Sequence, residues 1–303
     1  MQILVSGSSG LIGSALIPFL TGQGHRVIRL ARSAPRPGEP AVQWDPQAGT
    51  IDAAALDRLG PEAVVHLAGE PIAKGRWTEK KKERIQASRI EGTRFLSEAL
   101  AGLARPPKTF AHASAIGYYG SREDEVLWEE SRPGTGFLAE VGREWEQAAG
   151  LAAQKGIRVV ALRFGIVLSP FGGALAMMLP PFRIGLGGTL GGGGQFMSWV
   201  SIDDVVGAIH HALATEKLRG PVNVVAPNPV TNREFTRTLG KVLRRPAIFP
   251  VPAFMVRLMF GELADEALLA SARVEPSRLL AAGFSFQYPE LEGALRYLLT
   301  RGR

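Results

Sequence analysis

The stretch LVSGSSGLIGSAL, residues 4–16, sets Gly7, Gly10 and Gly13 between an apolar run with strand character and an apolar run of helical period. The pattern G-x-x-G-x-x-G is one residue away from the dinucleotide fingerprint G-x-G-x-x-G, and the same physics applies to it. One glycine permits the tight turn and another lets backbone amides approach a pyrophosphate. A third lets the helix pack on the sheet, and the helix N-terminus favours the anion. Gly7, Ser9, Gly10, Leu11, Ile12 and Gly13 are therefore the first candidates to line a nucleotide. Tight turns alone also use glycine, so it is the placement directly after the first strand that strengthens the reading.

Outward from this turn, QILVSG, RVIRLAR, AVVHLAG, TFAHASA and RVVALRFGIVL are short apolar runs separated by segments of helical period. Such alternation predicts parallel βαβ units. The run 63–67 reads as apolar on both faces, which a sheet covered by helices on each side demands. The expected class is α/β, a doubly wound parallel sheet with a smaller, mostly helical C-terminal domain. Regularity changes after Leu168, where SPFGGALAMMLPPFRIGLGGTLGGGGQFMSW joins a short apolar helix to a glycine-rich loop. A loop this long in a compact domain is more often functional than structural. One more strand, VNVVA, precedes a helix-rich tail in which Thr231 is an expected N-cap with Glu234 three residues on. The expected division is a nucleotide-binding domain at 1–168, to which 196–226 returns, and a substrate-side domain at 169–195 and 227–303.

At 303 residues the chain is long enough for a substantial core. Hydrophobic residues make up 46% and charged residues 21%. No apolar window reaches the roughly 18 residues of a membrane span. The N-terminus enters a strand pattern at once, without the features of a secretory signal, so a soluble cytoplasmic protein with no membrane partner is expected. The absence of cysteine excludes disulfides, thiolate nucleophiles and cysteine-ligated metal. His25, His66, His112, His210 and His211 show no metal-ligand spacing with carboxylates, so no metal is expected. A net charge of +7, densest in EKKKER at 79–84, raises the question of nucleic acid. That run opens a helical pattern through Ile85, Ile90, Phe95, Leu96 and Leu100, whose wet face would hold the lysines. With no reading module or aromatic platform beside it, nucleic acid is not expected, and anionic small molecules suit the charge equally well.

The end of the second strand separates the two nicotinamide dinucleotides. An acidic residue there would accept hydrogen bonds from the ribose 2′-hydroxyl, but RLARS supplies Arg29, Arg32 and Ser33, with Arg36 nearby. A guanidinium pairs a 2′-phosphate through two parallel hydrogen bonds, so the expected cofactor is NADP(H), with Arg32 and Ser33 as its readers. The alternative is a set of solvated arginines at a loop edge.

GSSGLIG, HLAG (66–69) and SAIGYYG (114–120) resemble the strand ends of the extended short-chain dehydrogenases/reductases. The resemblance extends through RWTEKKKERIQASRIEGT, FLAEVGREWE, PPFRIGLGGTLGGGGQFMSWVSIDDV, APNPVTNREF and VPAFMVRLMFGE. Over essentially the whole chain these blocks look like the epimerase-like, NADP-binding subfamily with its own C-terminal domain. The resemblance implies a Rossmann fold of the extended type and cofactor contacts at Leu67, Ala68, Gly69, Gly165 and Ile166. It also implies oxidoreductase or epimerase chemistry on a small carbonyl or sugar-like compound.

Reductases and epimerases of that superfamily use a tyrosine as acid or base and a lysine that lowers its pKa. They add a serine that polarises the substrate and an asparagine on a helix. Here Ser114 stands at the serine position, but Phe137 and Val141 replace the tyrosine and lysine, and Arg89 replaces the asparagine. Phenylalanine donates no proton. One reading has the Arg89 guanidinium reaching into the space left by the lysine, restoring positive charge near the nicotinamide ribose; the other makes it a salt-bridge partner on the helix surface. Tyr118 and Tyr119 are the nearby phenols that would serve as acid if a neighbour depressed their pKa from near 10, or that simply pack the loop. Asp203 and Asp204 read as N-capping and dipole compensation at a helix start.

Phe182, Arg183, Gln195, Met197 and Trp199 are candidates to line a substrate pocket beneath a mobile glycine-rich lid. Two functions follow: an NADP(H)-dependent oxidoreductase or epimerase with an atypical site, or a non-catalytic NADP(H)-binding sensor. The first is the expected one, although the missing tyrosine and lysine argue for the second. A homodimer through helices flanking the sheet fits the superfamily, although the face from Thr93 to Leu103 equally suits a core.

Overall fold

In the computed structural model, which describes residues 1–34 and 38–301, the chain begins β1 (Gln2–Ser6), α1 (Leu11–Gly22), β2 (Arg26–Ala31), β3 (Ala41–Asp45) and β4 (Thr50–Ile51). It continues α2 (Ala53–Leu59), β5 (Ala63–His66), α3 (Glu79–Ala101), β6 (Thr109–Ala115) and a 3-10 turn at Ile116–Tyr119. Next come β7 (Val126–Leu127), α4 (Phe137–Gln147), α5 (Gly150–Gln154), β8 (Arg158–Phe164), β9 (Ile166–Leu168) and α6 (Gly173–Arg183). Then follow β10 (Phe196–Met197), β11 (Trp199–Ser201), α7 (Ile202–Ala214), β12 (Gly220–Val224), β13 (Val230–Thr231) and α8 (Asn232–Leu243). The tail holds α9 (Ala253–Phe260), a π turn at Ala264–Leu268, β14 (Arg273–Val274), α10 (Ser277–Ala281) and α11 (Leu291–Arg301).

Eight strands form the main sheet in the order β12-β8-β6-β5-β1-β2-β3-β4, parallel except for the β3–β4 pair. The chain starts in the middle, extends to β4 on one side, and returns to build outward from β5 on the other. This reversal leaves a crevice at the carboxyl ends of β1 and β5, where α/β sheets bind ligands. Ile3, Val5, Val65 and Val160 bury one face of the sheet against Leu16 and Leu20 of α1 and Ile209 of α7. Leu4, Ile28, Val64 and Phe110 bury the other against Leu56 of α2, Leu96 and Leu100 of α3, and Ala152 of α5. The face from Thr93 to Leu103 is therefore core, with Thr93, Leu96, Ser97 and Leu100 of α3 and Leu103 just beyond it all buried.

A second layer gathers Leu175, Leu179 and Phe182 of α6, Phe235 and Leu239 of α8, and Leu295 and Leu298 of α11 around Trp199. The start of α8 is the capping box that its sequence predicts: Glu234 N donates to Thr231 Oγ1 at 3.2 Å, and Thr231 N donates to the Glu234 carboxylate at 2.8 Å. Two local expectations are corrected. The lysines of EKKKER do not all lie on a wet face, because Lys81 is buried and donates to Glu70 at 2.7 Å, tying α3 to the loop after β5. The cap of α7 is Ser201 rather than an aspartate. Asp204 is buried instead, accepting from Ser201 Oγ at 2.7 Å, Gln287 N at 2.6 Å and Tyr288 N at 3.1 Å, so it fastens the tail to α7. Burial pushes its carboxyl above the ordinary range.

Candidate active site

Two glycines of the first turn are required by close approaches, and the third sits in a tight one. Gly7 has φ +66° and sits so near the Leu67–Ala68 peptide that a Cβ would meet Leu67 C at 2.7 Å. A Cβ on Gly13 would meet Gly7 O at 2.2 Å, and one on Gly10 would come within 3.3 Å of the same carbonyl. Gly10 caps α1 without a side-chain hydrogen bond, and the first turn carries no acid, so the amides at this end are left for an incoming acceptor. The donor set suits a pyrophosphate. Leu67 N and Ala68 N both donate to Ser6 Oγ, at 3.1 and 3.3 Å, which pins the peptide against which Gly7 is packed. At the end of β2, Arg29 is drawn to Glu39 at 3.7 Å, whereas Arg32 and Ser33 are exposed and Arg32 has no ion pair among the described residues. Arg36 lies outside the described residues.

Arg89 is not a surface salt-bridge partner. Its Nη1 donates to Glu70 O at 3.1 Å and to Ile85 O at 3.2 Å, and its guanidinium lies 5.1 Å from the Trp145 ring centroid. It covers Gly69, where a Cβ would fall 3.7 Å from the guanidinium carbon. Burial pushes its pKa down to about 10, against the pull of Glu70, so the group stays cationic at neutral pH.

Ser114, Arg163 and Asn223 are neighbours in register across β6, β8 and β12. Together they form a buried polar row. Ser114 Oγ donates to Glu146 Oε1 at 2.7 Å, and Arg163 clamps the same carboxylate with bonds of 2.7 and 2.8 Å. Arg163 Nη1 also donates to Tyr119 Oη at 2.8 Å, and that hydroxyl donates to Asn223 Oδ1 at 2.7 Å. Burial lowers the tendency of Arg163 to hold its charge, but the Glu146 bonds outweigh it and keep the guanidinium above its ordinary value. Tyr119 is fully buried, and burial pushes its phenol up to about 12. Of the two readings of Tyr119, its burial and these bonds support packing: its hydroxyl anchors β8 and β12. The Ser114 hydroxyl is likewise directed at Glu146 rather than into the open cleft. Neither Arg163 nor Glu146 stood out in the sequence, because their meaning lies in strand register.

Phe137 opens α4 against the edge of Trp77, ring centroids 5.3 Å apart, with Lys82 Nζ 5.5 Å from the Phe137 centroid. The helix start is held from the tail, since Phe137 N and Leu138 N donate to the Glu266 carboxylate at 3.2 and 3.0 Å. Gly136, at φ +102°, leaves room for that carboxylate. Val141 is buried. The phenol that remains is Tyr118, half-buried, with the Arg163 guanidinium 3.6 Å from its ring centroid and no hydrogen bond to its hydroxyl among the described residues. Trp77 and Glu266 were missed in the sequence, as they are far from one another and nothing in the blocks at or beside them ties either to Phe137.

Gly165 and Ile166 form the bend between β8 and β9, with Gly165 N donating to Val224 O and Ile166 N to Ser198 O, at 3.1 and 2.8 Å. A Cβ on Gly165 would meet Ser198 O at 2.5 Å, so strand packing alone demands this glycine. The substrate-side candidates do not converge. Phe182, Met197 and Trp199 are buried in the second layer, and Trp199 Nε1 donates to Asn228 O at 3.2 Å. Gln195 donates to Leu190 O and Leu268 O, at 3.1 and 3.3 Å, pinning the glycine-rich loop to the π turn, while Arg183 is exposed at the end of α6. Their types suited a pocket, but apolar residues flanking a glycine loop suited a core more.

The profile of the NAD dependent epimerase/dehydratase family matches residues 3–225. The chain belongs to this family. A domain of unknown function (DUF1731) matches residues 251–298. The family protein Mb2239 of Mycobacterium bovis is 46% identical over 301 residues, covering 99% of this chain and 98% of that one. The human family protein SDR39U1 is 37% identical over 304 residues, covering 99% and 100%. A crystal structure of human SDR39U1 (isoform 2) with NADPH superimposes with a TM-score of 0.89 at 36% identity, covering 99% of each chain. The family member described here thus has the Rossmann-type fold in its central sheet, and its likeness to the human structure extends over the tail as well. Among its described residues no helix is long and apolar enough to cross a membrane.

Proposed function

We propose that this epimerase-family protein binds NADP(H) and exchanges hydride with a small carbonyl or sugar-like substrate. The reading rests on the cradle in which Gly7, Gly10 and Gly13 clear a path to the uncapped start of α1, with the exposed Arg32 beyond it. The human relative solved with NADPH supports the same choice. Arg32 and Ser33 would hold the 2′-phosphate, the α1 amides the pyrophosphate, and Arg89 would set a positive charge beside the ribose. When bound, the nicotinamide supplies or accepts the hydride. Tyr118 is the phenol left to deliver a proton, with the Arg163 guanidinium beside its ring. Phe137 and Trp77 make an apolar wall where the superfamily has its tyrosine.

A second reading, a nucleotide-binding protein without hydride chemistry, is favoured by Phe137 and Val141 and by the engaged hydroxyls of Ser114 and Tyr119. Equilibrium titration with NADPH and NADH, followed by fluorescence, tests the cofactor in the wild type and in Arg32→Ala. NADPH affinity should fall at least tenfold in the variant, toward that for NADH. No binding of either nucleotide would end both readings. Multiple-turnover NADPH oxidation across a panel of carbonyl compounds then separates them: turnover lost in Tyr118→Phe supports the first, and bound but inert nucleotide the second.

A further inference from the structure

Away from the cofactor crevice, α8 carries Arg233, Arg237 and Lys241 at four-residue spacing, which puts three cations on one helix face. A fourth joins them because the chain turns back at the helix end. Arg244 adopts a left-handed conformation at φ +54°, and Arg245 N donates to Gly240 O at 2.9 Å. Gly240 permits this return, since a Cβ there would meet Ala247 Cβ at 2.9 Å. The four cations and Thr189 edge a cavity of about 320 Å³ that, among the described residues, no acidic side chain lines.

Like charges at this spacing repel, and nearby acids only partly offset them. Glu234 is turned to Thr231 in the capping box, Glu292 pairs with Lys241 at 2.8 Å, and Arg233 donates to Gly192 O at 2.7 Å. The guanidiniums of Arg237 and Arg245 have no close ion pair or hydrogen bond among the described residues, although, after the Thr231 hydrogen bonds, the charge of Arg237 helps to hold the Glu234 carboxyl below its ordinary value. A cavity of this size sits at the small end of ligand sites, and forked donors facing it match phosphate oxygens. Ala247 and Ile248 add apolar surface to its lining, and Ile248 and the adjacent Phe249 are strongly exposed.

We infer that this cavity is an anion site for a phosphate-bearing ligand, with Arg237 and Arg245 as its principal donors. The phosphate belongs either to a soluble phosphorylated compound or to a lipid headgroup, and both present the same oxygens. Calorimetric titration of the full chain, saturated with NADPH so that the cradle at the start of α1 is filled, with inorganic pyrophosphate tests it in three proteins: wild type, Arg237→Ala/Arg245→Ala, and Lys155→Ala/Lys217→Ala as a control of equal charge. The site variant should lose at least tenfold in affinity while the control binds like wild type. An unchanged circular dichroism spectrum and NADPH titration would show that the site variant is folded. Co-sedimentation with phosphatidylcholine vesicles, with and without phosphatidic acid, distinguishes the sources. Pelleting that requires phosphatidic acid and both arginines identifies a headgroup, and pyrophosphate binding without pelleting identifies a soluble ligand. No binding in either assay, or equal losses in the site variant and the control, would overturn the inference.

Discussion

The guanidinium of Arg89 covers the backbone of Gly69, its carbon 3.7 Å from where a Cβ on that glycine would project. The contact joins the middle of α3 to the loop after β5, at the edge of the crevice where the sheet order reverses. Arg89→Met keeps much of the packing and removes the charge, so NADPH should bind about tenfold more weakly, roughly 1.4 kcal/mol. Because the pKa of Arg89 is pushed down only to about 10, wild-type affinity should be level from pH 7 to pH 9 with respect to this group. Fluorescence titrations of both proteins at these two pH values check it, and equal affinities at pH 7 would remove Arg89 from the site.

Tyr119 gives the opposite pattern. Its hydroxyl lies between Arg163 and Asn223 with no exposure, so Tyr119→Phe leaves buried polar groups unpaired and should destabilise the fold by about 1–3 kcal/mol. NADPH affinity should not change. Urea unfolding with a parallel nucleotide titration reads both, and a variant that is stable but unable to turn over would restore Tyr119 as the acid.

The pair Arg163–Glu146 should matter more. Their side chains are 2% and 15% exposed, so Glu146→Gln strands a nearly buried guanidinium and should cost about 3 kcal/mol or more. Ser114→Ala removes one hydrogen bond to the same carboxylate and should cost about 1 kcal/mol. Denaturant midpoints separate the two. A Ser114→Ala protein with wild-type stability and no turnover would instead make its hydroxyl part of the chemistry.

What the sequence disclosed and what it hid divide along physical lines. The glycine turn was legible because positive φ and close backbone approach permit few residues, and the buried parallel strands because they are continuous apolar runs. β3 was hidden, since AVQWD alternates buried Val42 and Trp44 with outward residues and is short. The Ser114–Glu146–Arg163–Tyr119–Asn223 row was also hidden, because it exists only once β6, β8 and β12 are in register. Phe182 and Trp199 show the converse: residue type suggested a pocket, while burial in the second layer sets their role. Loss of the tyrosine and lysine at Phe137 and Val141 was plain, but the neighbours of Phe137, Trp77 and Glu266, come from distant stretches on either side of it.

Beneath the crevice, His66 is fully buried, with Nδ1 at 2.6 Å from Ser6 Oγ. Two amides donate into that oxygen, so the hydroxyl proton points to Nδ1 and the imidazole is neutral with its proton on Nε2. Burial pushes the His66 pKa down to about 3, with His112 on the adjacent strand adding to the effect. The unfolded imidazole titrates near 6.5, so below that pH the unfolded chain binds a proton that the folded chain refuses. The stabilisation is therefore complete above about pH 6.5 and is lost as pH falls toward 3, at up to about 1.4 kcal/mol per unit. His66→Asn offers Ser6 an acceptor but does not titrate, so from pH 7 to pH 5 the wild type should lose about 2 kcal/mol more than the variant. His112, also lowered by burial, titrates in both proteins and cancels from the comparison. Urea unfolding at the two pH values measures the difference, and parallel losses would mean that His66 takes up its proton within the fold.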